Sequence, residues 1–599
     1  MVTLSKQDQR EMEKAKDLLE TASETGFVRS LFFGRLQMQK LLPYPKQEAA
    51  EAARVETLLE ALDAFMDKHV DPDRIDAEER IPDSVIRRLG ELGVMGLTVP
   101  SEYGGGGFSH TAYCQVLERI SRRCASTAVL VGAHQSIGLK ALVLMGSEAQ
   151  KHRWLPELAS GRTLAAFCLS EPEVGSDAAG VQTRATLSED GSHWIINGEK
   201  RYATNAALAG FLTVMARTQI EENGEKKEKV SAFIVTPDMP GFEIVSPNRS
   251  KCGIRGTWQG TLKFNDMRVP RENVLGGVGK GLKLALTVLN YGRCTLSAGC
   301  LGGAKVGLER AVERARHRQQ FGRPIGKFHL IKQKIAQMAE TVYAMDALTY
   351  LAAGLVDRHE EDLMLETATC KLFASEMAWQ VADDAVQIWG GEGYLREHGL
   401  ERMLRDARIN RIVEGTSEVM TAFIALMGMK GVGEEFEAVL RAAKNPIGNF
   451  GRIADFARHE WRDVIVGHAG NGATRTLHPK LAEEGRMLAK LTRQLARDVS
   501  RLLARHRTDI IEQQMLLGRV TWAVTEMYAM AAVLAKLQAK LEAADADGRG
   551  RPEDLEQELT IGRGYCQHAH QRIEQRLASL SRNGDEATHK VADAVLGPL

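Results

Sequence analysis

The segment "EAARVETLLEALDAFMDKHV" (Glu51 to Val70) repeats apolar residues at three- and four-residue spacing, and "DSVIRRLGELGV" (Asp83 to Val94) repeats the scheme after Pro82. Such spacing lays one apolar stripe along a helix, so a helical domain is predicted over 47–160. The period then changes. In "HWIINGEKRYA" (His193 to Ala203), Asn197-Gly198 stands between two alternating runs, a strong hairpin signal, and "FLTVMAR", "VSAFIV", "FEIV" and "TLKF" read as further short strands. A small β domain is expected over 161–279. Helical periodicity returns over 280–430 and again in a 431–599 extension, after "KNPIGNFGR" and "GHAGNGATRTLHPK" bring glycine, proline and asparagine together as a linker. Residues 1–46 form an N-terminal segment. The predicted class is α+β, mostly α.

The order helix, sheet, helix, helix differs from the alternating βαβ of nucleotide-binding α/β folds. The glycines of "GGVGKGLKLAL" (Gly276 to Leu286) lack the six-residue dinucleotide fingerprint, and Lys280 is followed by glycine rather than Ser or Thr. They read as a turn opening a helix. "GGGG" (Gly104 to Gly107) reads as a flexible turn.

Composition narrows the classes. The chain has 599 residues with 78 basic and 78 acidic side chains, so no basic excess exists to drive nucleic-acid binding. Its eight cysteines include no Cys-x-x-Cys pair, which suits a reducing compartment. The first twenty residues carry no signal-length apolar core, and no run of about 18 apolar residues appears in the sequence. A soluble mature protein in the cytoplasm is expected, with a peripheral membrane contact left open. "LTRQLARDVSRLLARHR" reads as an exposed amphipathic helix in preference to a membrane anchor. "CQHAH" (Cys566 to His570) offers three metal-ligand types at helical offsets that project apart, so no metal site is expected.

Four separated stretches carry polar and glycine residues that a core does not need. "AFCLSEPEVGSD" (Ala166 to Asp177) ends in a Gly-Ser-Asp loop suited to anionic or carbonyl groups, or to an ordinary turn. "RHRQQFGRPIGKFH" (Arg316 to His329) ends a helix with cationic and amide side chains, suited to a pyrophosphate or simply to solvent. "QIWGGEGY" (Gln387 to Tyr394) clusters three glycines at a helix end, where backbone can approach a flat ligand. "RINRIVEGTSEVM" (Arg408 to Met420) sets one acid, Glu414, between apolar residues and a Gly-Thr-Ser turn. Burial disfavours a carboxylate's charged form, which makes it a usable base near neutral pH.

Taken together and in order, these stretches resemble the acyl-CoA dehydrogenase family of flavoproteins. "LSEPEVGSD" and "QIWGGEGYLREHGLERMLRDAR" are similar to the family's two signatures. "LFFGRLQMQKLLPYP", "VGAHQSIGLKALVLMGSEAQ", "LHPKLAEEG" and "EQQMLLGRVTWAVTEMYAM" resemble its very-long-chain branch. The resemblance implies the acyl-CoA dehydrogenase fold, an N-terminal helical domain, a middle β domain and a helical bundle, plus a C-terminal helical extension. It also implies FAD lying between domains and between subunits, in a homo-oligomer with a dimer favoured. The implied activity is oxidation of long-chain acyl-CoA to trans-2-enoyl-CoA, with electrons passed to an electron-transfer flavoprotein. An acyl-CoA oxidase and a related assembly or binding protein are the alternatives.

The family's site residues carry over one by one. Glu414 matches the catalytic glutamate, whose own backbone N–H helps stabilise the enolate. Phe167, Leu169, Ser170 and Ser176 fall on the first flavin loop, Ser176 also near the thioester. Tyr202, Ala203 and Thr204 follow, Tyr202 standing where the family more often has an indole. Arg318, Gln320, Phe328 and His329, with Gln387, Gly390 and Gly391, are implied to reach the dinucleotide, partly from a neighbouring subunit. Thr416 and Glu418 match positions near the adenosine phosphates, Glu418 replacing an amide or aspartate. Asn290 and Arg293 match substrate-side positions. Small residues at Val129, Gly132 and Ala133 imply an open acyl pocket, suited to chains of about fourteen carbons or more, since each buried methylene adds about 0.8 kcal/mol.

Overall fold

In the computed structural model the described residues are 26–222, 224–360, 362–443, 477–547 and 553–597. The first expected linker stretch and most of the second lie outside them.

Helices Ala49–His69, Pro72–Glu78, Asp83–Glu91, His110–Arg123 and Glu148–Ala159 form the first layer. The three- and four-spaced apolar residues of the first four meet in one cluster containing Leu59, Leu62, Met66, Leu89 and Leu117, while Leu155 and Leu158 of the fifth pack in a second cluster with Phe211 and Ile234. Between them the Ala125–Gly132 helix passes into a π-helical stretch, Ala133–Leu139. His134, in that stretch, takes the Ala165 N–H on Nδ1 at 2.9 Å and places Nε2 3.0 Å from the Leu158 carbonyl. The widened turn is thereby tied to the sheet, as such turns often are near functional sites. Gly104–Gly107 form no loose turn, because a Cβ on Gly105 would lie 2.1 Å from the Val99 carbonyl.

The sheet contains β1 (Leu164–Cys168), β2 (Arg184–Leu187), β3 (His193–Thr204), β4 (Ala209–Glu222), β5 (Glu225–Val235), β6 (Phe242–Ser246), β7 (Gln259–Pro270) and β8 (Val274–Leu275). Its order is β6-β7-β3-β2-β4-β5-β8, with β1 parallel to β4. The four short runs read as strands lie in β4, β5, β6 and β7. The Asn197-Gly198 hairpin does not form: β3 runs straight through it. The register shifts there against β7, and Asn197 exchanges two hydrogen bonds with Asp266, its Nδ2 donating to Oδ1 at 2.9 Å and its Oδ1 accepting the Asp266 N–H at 2.8 Å. Long-range pairing outweighs the local turn preference and turns the dipeptide into a bulge. Gly198 is required, because its φ is +152° and a Cβ would lie 2.4 Å from Thr183 Oγ1.

Long helices Gly281–His317, His329–Asp357, Met364–Trp389 and Ser417–Ala443 form the bundle, and Ala482–His506, Gln514–Asp547 and Glu553–Ala578 pack on it. Met345 and Leu348 of the bundle share one core with Leu495, Val524, Met527 and Leu534 of the extension. The Phe27–Phe32 helix is wedged into that seam, fully buried, with Arg29 paired to Asp362 at 3.2 Å. The apolar face of Ala482–His506 (Leu488, Leu491, Leu495, Val499) is buried in this core, so it is not free to insert elsewhere. Two helical stretches, Ala125–Met145 and Gln514–Ala546, are by length and mean hydropathy apolar enough to cross a membrane although neither is an unbroken apolar run, and 89% of the second's most apolar window is buried inside the fold. His568 faces Glu340 at 2.9 Å and His570 faces Glu574 at 3.5 Å, while Cys566 is buried.

Candidate functional site

Glu414 sits between a single 3-10 turn (Ile409–Arg411) and the helix that begins at Ser417. Its φ is +56° and that of Gly415 is +92°, two successive left-handed residues. A side chain there is strained by about 1 kcal/mol or more, and the site is held from outside. The Lys371 ammonium, fully buried in the Met364–Trp389 helix, donates to the Gly415 carbonyl at 2.7 Å. Glu376 of the same helix accepts from Arg411 Nε at 2.8 Å and from Ser417 Oγ.

The carboxylate points into the interior. Its Oε2 is buried without a hydrogen-bond partner. A Cβ placed on Gly292 would lie 3.0 Å from Oε2 and 3.1 Å from both Oε1 and Ile137 Cγ2, so Gly292 leaves the acid its room. Burial pushes the Glu414 pKa up to about 7, against the opposing pull of Lys371 and Arg293. Burial in turn lowers Lys371 to about 8 and Arg293 to about 10. Arg293 is buried, donates to Asn290 Oδ1 at 3.0 Å and faces the Phe423 ring at 5.6 Å, while its Nε has no partner. The Glu414 N–H donates to no protein acceptor among the described residues. A base with a free oxygen, a free N–H beside it and an underbonded guanidinium nearby can together take a proton and stabilise the oxyanion left behind.

The first loop is held by the sheet. Phe167 ends up buried in β1, and Leu169 and Ser170 follow half-buried. Lys200, fully buried in β3, donates to the Leu169 carbonyl at 3.1 Å and to Glu171 at 2.6 Å, and Glu171 accepts the N–H groups of Gln182 and Thr183. The Arg201 N–H donates to the Ser170 carbonyl at 2.9 Å, so loop and strand lie side by side. A register shift between Lys200 and Ala203 turns Tyr202 outward, 65% exposed with φ +58°, while Ala203 stays buried and Thr204 half-buried. Ser176 is exposed on an open turn, where no atom lies within 4 Å of a Cβ on Gly175.

A second group lies on the surface. Arg318 is exposed at the end of the Gly281–His317 helix and Gln320 on the Gln319–Pro324 hairpin that follows, Phe328 is half-buried and His329 exposed. Gln387, Gly390 and Gly391 are exposed at the end of Met364–Trp389, and no atom lies within 4 Å of a Cβ on either glycine. The two loops are joined through Arg314–Glu392 at 2.8 Å and Trp389 Nε1 donating to the Arg310 carbonyl at 3.1 Å. Thr416 caps its helix by accepting the Val419 N–H at 3.2 Å, and Glu418 is exposed in the first turn. Sequence reasoning missed Gly292, Lys371, Glu376 and Lys200. A lysine inside the apolar run "TATCKLFASEMA" was the one available signal.

These groups are compatible with FAD: Leu169 and Ser170 lie along β3 next to the exposed Tyr202, and the bare glycines at 390 and 391 leave backbone open to a flat or phosphorylated group. The site has the make-up of an enzyme whose buried acid can take up a proton. Family models match in chain order: acyl-CoA dehydrogenase N-terminal domain at 53–162, middle domain at 166–267, C-terminal domain at 279–428, and the ACAD9/ACADV C-terminal domain at 479–597. The chain is 36% identical to the human mitochondrial very long-chain specific acyl-CoA dehydrogenase, covering 93% of this chain and 85% of that one. It is also 36% identical to the probable acyl-CoA dehydrogenase FadE10 of Mycobacterium tuberculosis, covering 99% and 92%. An acyl-CoA dehydrogenase of Bacillus anthracis, solved in complex with FAD, superposes with a TM-score of 0.77 at 28% identity over 95% of both chains. The chain belongs to the acyl-CoA dehydrogenase family, whose enzymes use FAD.

Proposed function

We propose that this acyl-CoA dehydrogenase acts in fatty-acid oxidation on long-chain acyl-CoA thioesters, giving trans-2-enoyl-CoA, and hands its electrons to an electron-transfer flavoprotein. The observation that carries the reading is the Glu414 carboxylate, with one oxygen unpartnered and its pKa raised to about 7. Bound FAD supplies the acceptor for the β-hydride. Leu169, Ser170, Tyr202, Ala203 and Thr204 hold the flavin end, while Arg318, Gln320, Phe328, Gln387, Gly390 and Gly391 hold the rest. Glu414 takes the α-proton, and its own N–H faces the thioester oxygen. Arg293, oriented by Asn290, adds positive charge where the enolate develops.

Long-chain preference is supported by the helix bordering Ile137. A Cβ on Gly132 would meet only Ser136 Oγ, at 3.9 Å, so the space beside it is open. The flavoprotein partner is the electron acceptor that the sequence resemblance implies. The extension, which buries bundle surface, supports a dimer, and light scattering checks it.

The test is anaerobic mixing of the FAD-loaded protein with palmitoyl-CoA. Bleaching of the flavin with formation of the 2-enoyl thioester is expected, followed by reoxidation by an electron-transfer flavoprotein. Fast reoxidation by oxygen with stoichiometric peroxide would make the protein an oxidase, and no bleaching would remove the dehydrogenase reading.

A further inference from the structure

We propose that Lys371 is a positioning residue for the base: its buried ammonium pins the Gly415 carbonyl and supplies the cation that keeps Glu414 ionised. The inference rests on the reading of Glu414 as the base and adds to it a device for holding and charging that acid.

The loop carrying Glu414 has reason to move. Two successive residues are left-handed, one of them a non-glycine, and such strain persists only where surroundings enforce it. The enforcement comes from a single helix. Lys371 holds the carbonyl just after the acid, and five residues further along Glu376 holds Arg411 on one flank of the loop and Ser417 on the other. Ser417 Oγ also lies 3.4 Å from the Arg411 carbonyl, closing the loop on itself.

Packing gives no reason for a lysine here. Ala368, Leu372, Phe373 and Ala374 around it are buried, and an apolar side chain would avoid the several kcal/mol that burying an ammonium costs. Among the described residues its hydrogen-bond acceptor is Gly415, a neutral carbonyl, so its charge is compensated by the acids nearby. Glu414 is faced by Lys371 from Met364–Trp389, by Arg293 and the Cys300 thiol from Gly281–His317, and by the Tyr113 phenol from His110–Arg123. Lys371 itself is faced by Glu414, Glu376, Arg293 and Cys300. Of the two cations, Arg293 is tied to Asn290 of its own helix. Lys371 is fixed to the acid's own loop, so its distance from the carboxylate is set by the same bond that sets the loop.

The test uses the full-length, FAD-loaded protein in three forms, Lys371→Met, Lys371→Gln and Glu376→Gln, each reduced by palmitoyl-CoA across pH. Lys371→Met is expected to slow reduction about 100-fold and to move its pH midpoint up by about one unit. Lys371→Gln keeps a donor and loses the charge, so it shifts the midpoint with a smaller loss of rate, and it serves if the Met variant folds poorly. Glu376→Gln loosens the flanks and leaves the ammonium, so it slows reduction with the midpoint unmoved. Infrared pH-difference spectra give a second readout: the protonated-acid carbonyl band that Glu414→Gln abolishes persists to higher pH in both Lys371 variants. A wild-type midpoint and band in those variants, even with slowed turnover, would overturn the proposal. Failure of the wild type to bleach, or an active Glu414→Gln, would instead sink the reading of Glu414.

Discussion

Gly292 faces the carboxylate of Glu414 so closely that a methyl group on it would stand 3.0 Å from Oε2 and 3.1 Å from Oε1. Helix and loop are more than a hundred residues apart in sequence, yet the absence of one side chain defines the position of the other. The carboxylate is the end of a flexible side chain, so Gly292→Ala displaces it without breaking the helix. A displacement of this kind costs about 10- to 100-fold in rate, because proton transfer depends on geometry. Stopped-flow reduction is expected to slow by that factor, with the melting temperature within a few degrees of wild type. Unchanged reduction would mean that the acid has slack.

The first flavin loop hangs on one buried ion pair. Lys200 and Glu171 lie 2.6 Å apart, with side chains 0% and 4% exposed. Removing one partner leaves the other charge buried and costs about 3–5 kcal/mol. Lys200→Met is therefore expected to lower the denaturation midpoint and the flavin content together, while the double variant with Glu171→Gln recovers part of the stability. A single variant that keeps both properties would show the loop to be held by other means.

Glu366 links the N-terminal helix to the bundle, accepting the Val28 N–H at 2.9 Å, and burial pushes its pKa up to about 7. The sign follows from the raised value. The unfolded chain releases this proton near pH 4.5 while the folded protein holds it, so the stability it contributes is full below pH 4.5 and lost as pH rises through 7. Glu366→Gln keeps an acceptor and cannot titrate. The stability of wild type relative to this variant is expected to fall by on the order of 3 kcal/mol between those limits. A difference that stays flat with pH would contradict the raised value.

The proposed chain-length preference is tested at Val129, Gly132 and Ala133. Ala133→Glu places a carboxylate in the space bordered by Val129 and Gly132, and the ratio of kcat/KM on palmitoyl-CoA to that on octanoyl-CoA is expected to fall at least tenfold. If wild type prefers octanoyl-CoA, or the substitution leaves the ratio unchanged, these small residues serve only to pack helices.

Much of this was legible in the chain. A carboxylate beside Ile412-Val413 and Gly415 suggests a buried acid, and its Oε2 is buried although Ile412 itself is 48% exposed, while three- and four-residue apolar spacing announces Ala49–His69 and its neighbours. The misreading at Asn197-Gly198 arose because a dipeptide reports only its local preference, whereas β7 pairs across it and makes a bulge. Lys371 escaped notice because a lysine in a helix is normally solvated, and only tertiary packing brings it onto Gly415. Arg318, Gln320 and Gln387 are singled out by resemblance alone, since exposed polar residues at helix ends carry no pattern that separates a ligand contact from a solvated surface.

The claim that Glu414 is the base is tested most directly by anaerobic stopped-flow reduction of FAD-loaded Glu414→Gln by palmitoyl-CoA, beside wild type from pH 6 to 9. Wild-type reduction should rise with pH through about 7, where the acid ionises. The variant should retain FAD and bind acyl-CoA yet be reduced several orders of magnitude more slowly at every pH, because an amide cannot accept the proton. Reduction within tenfold of wild type would place the base elsewhere.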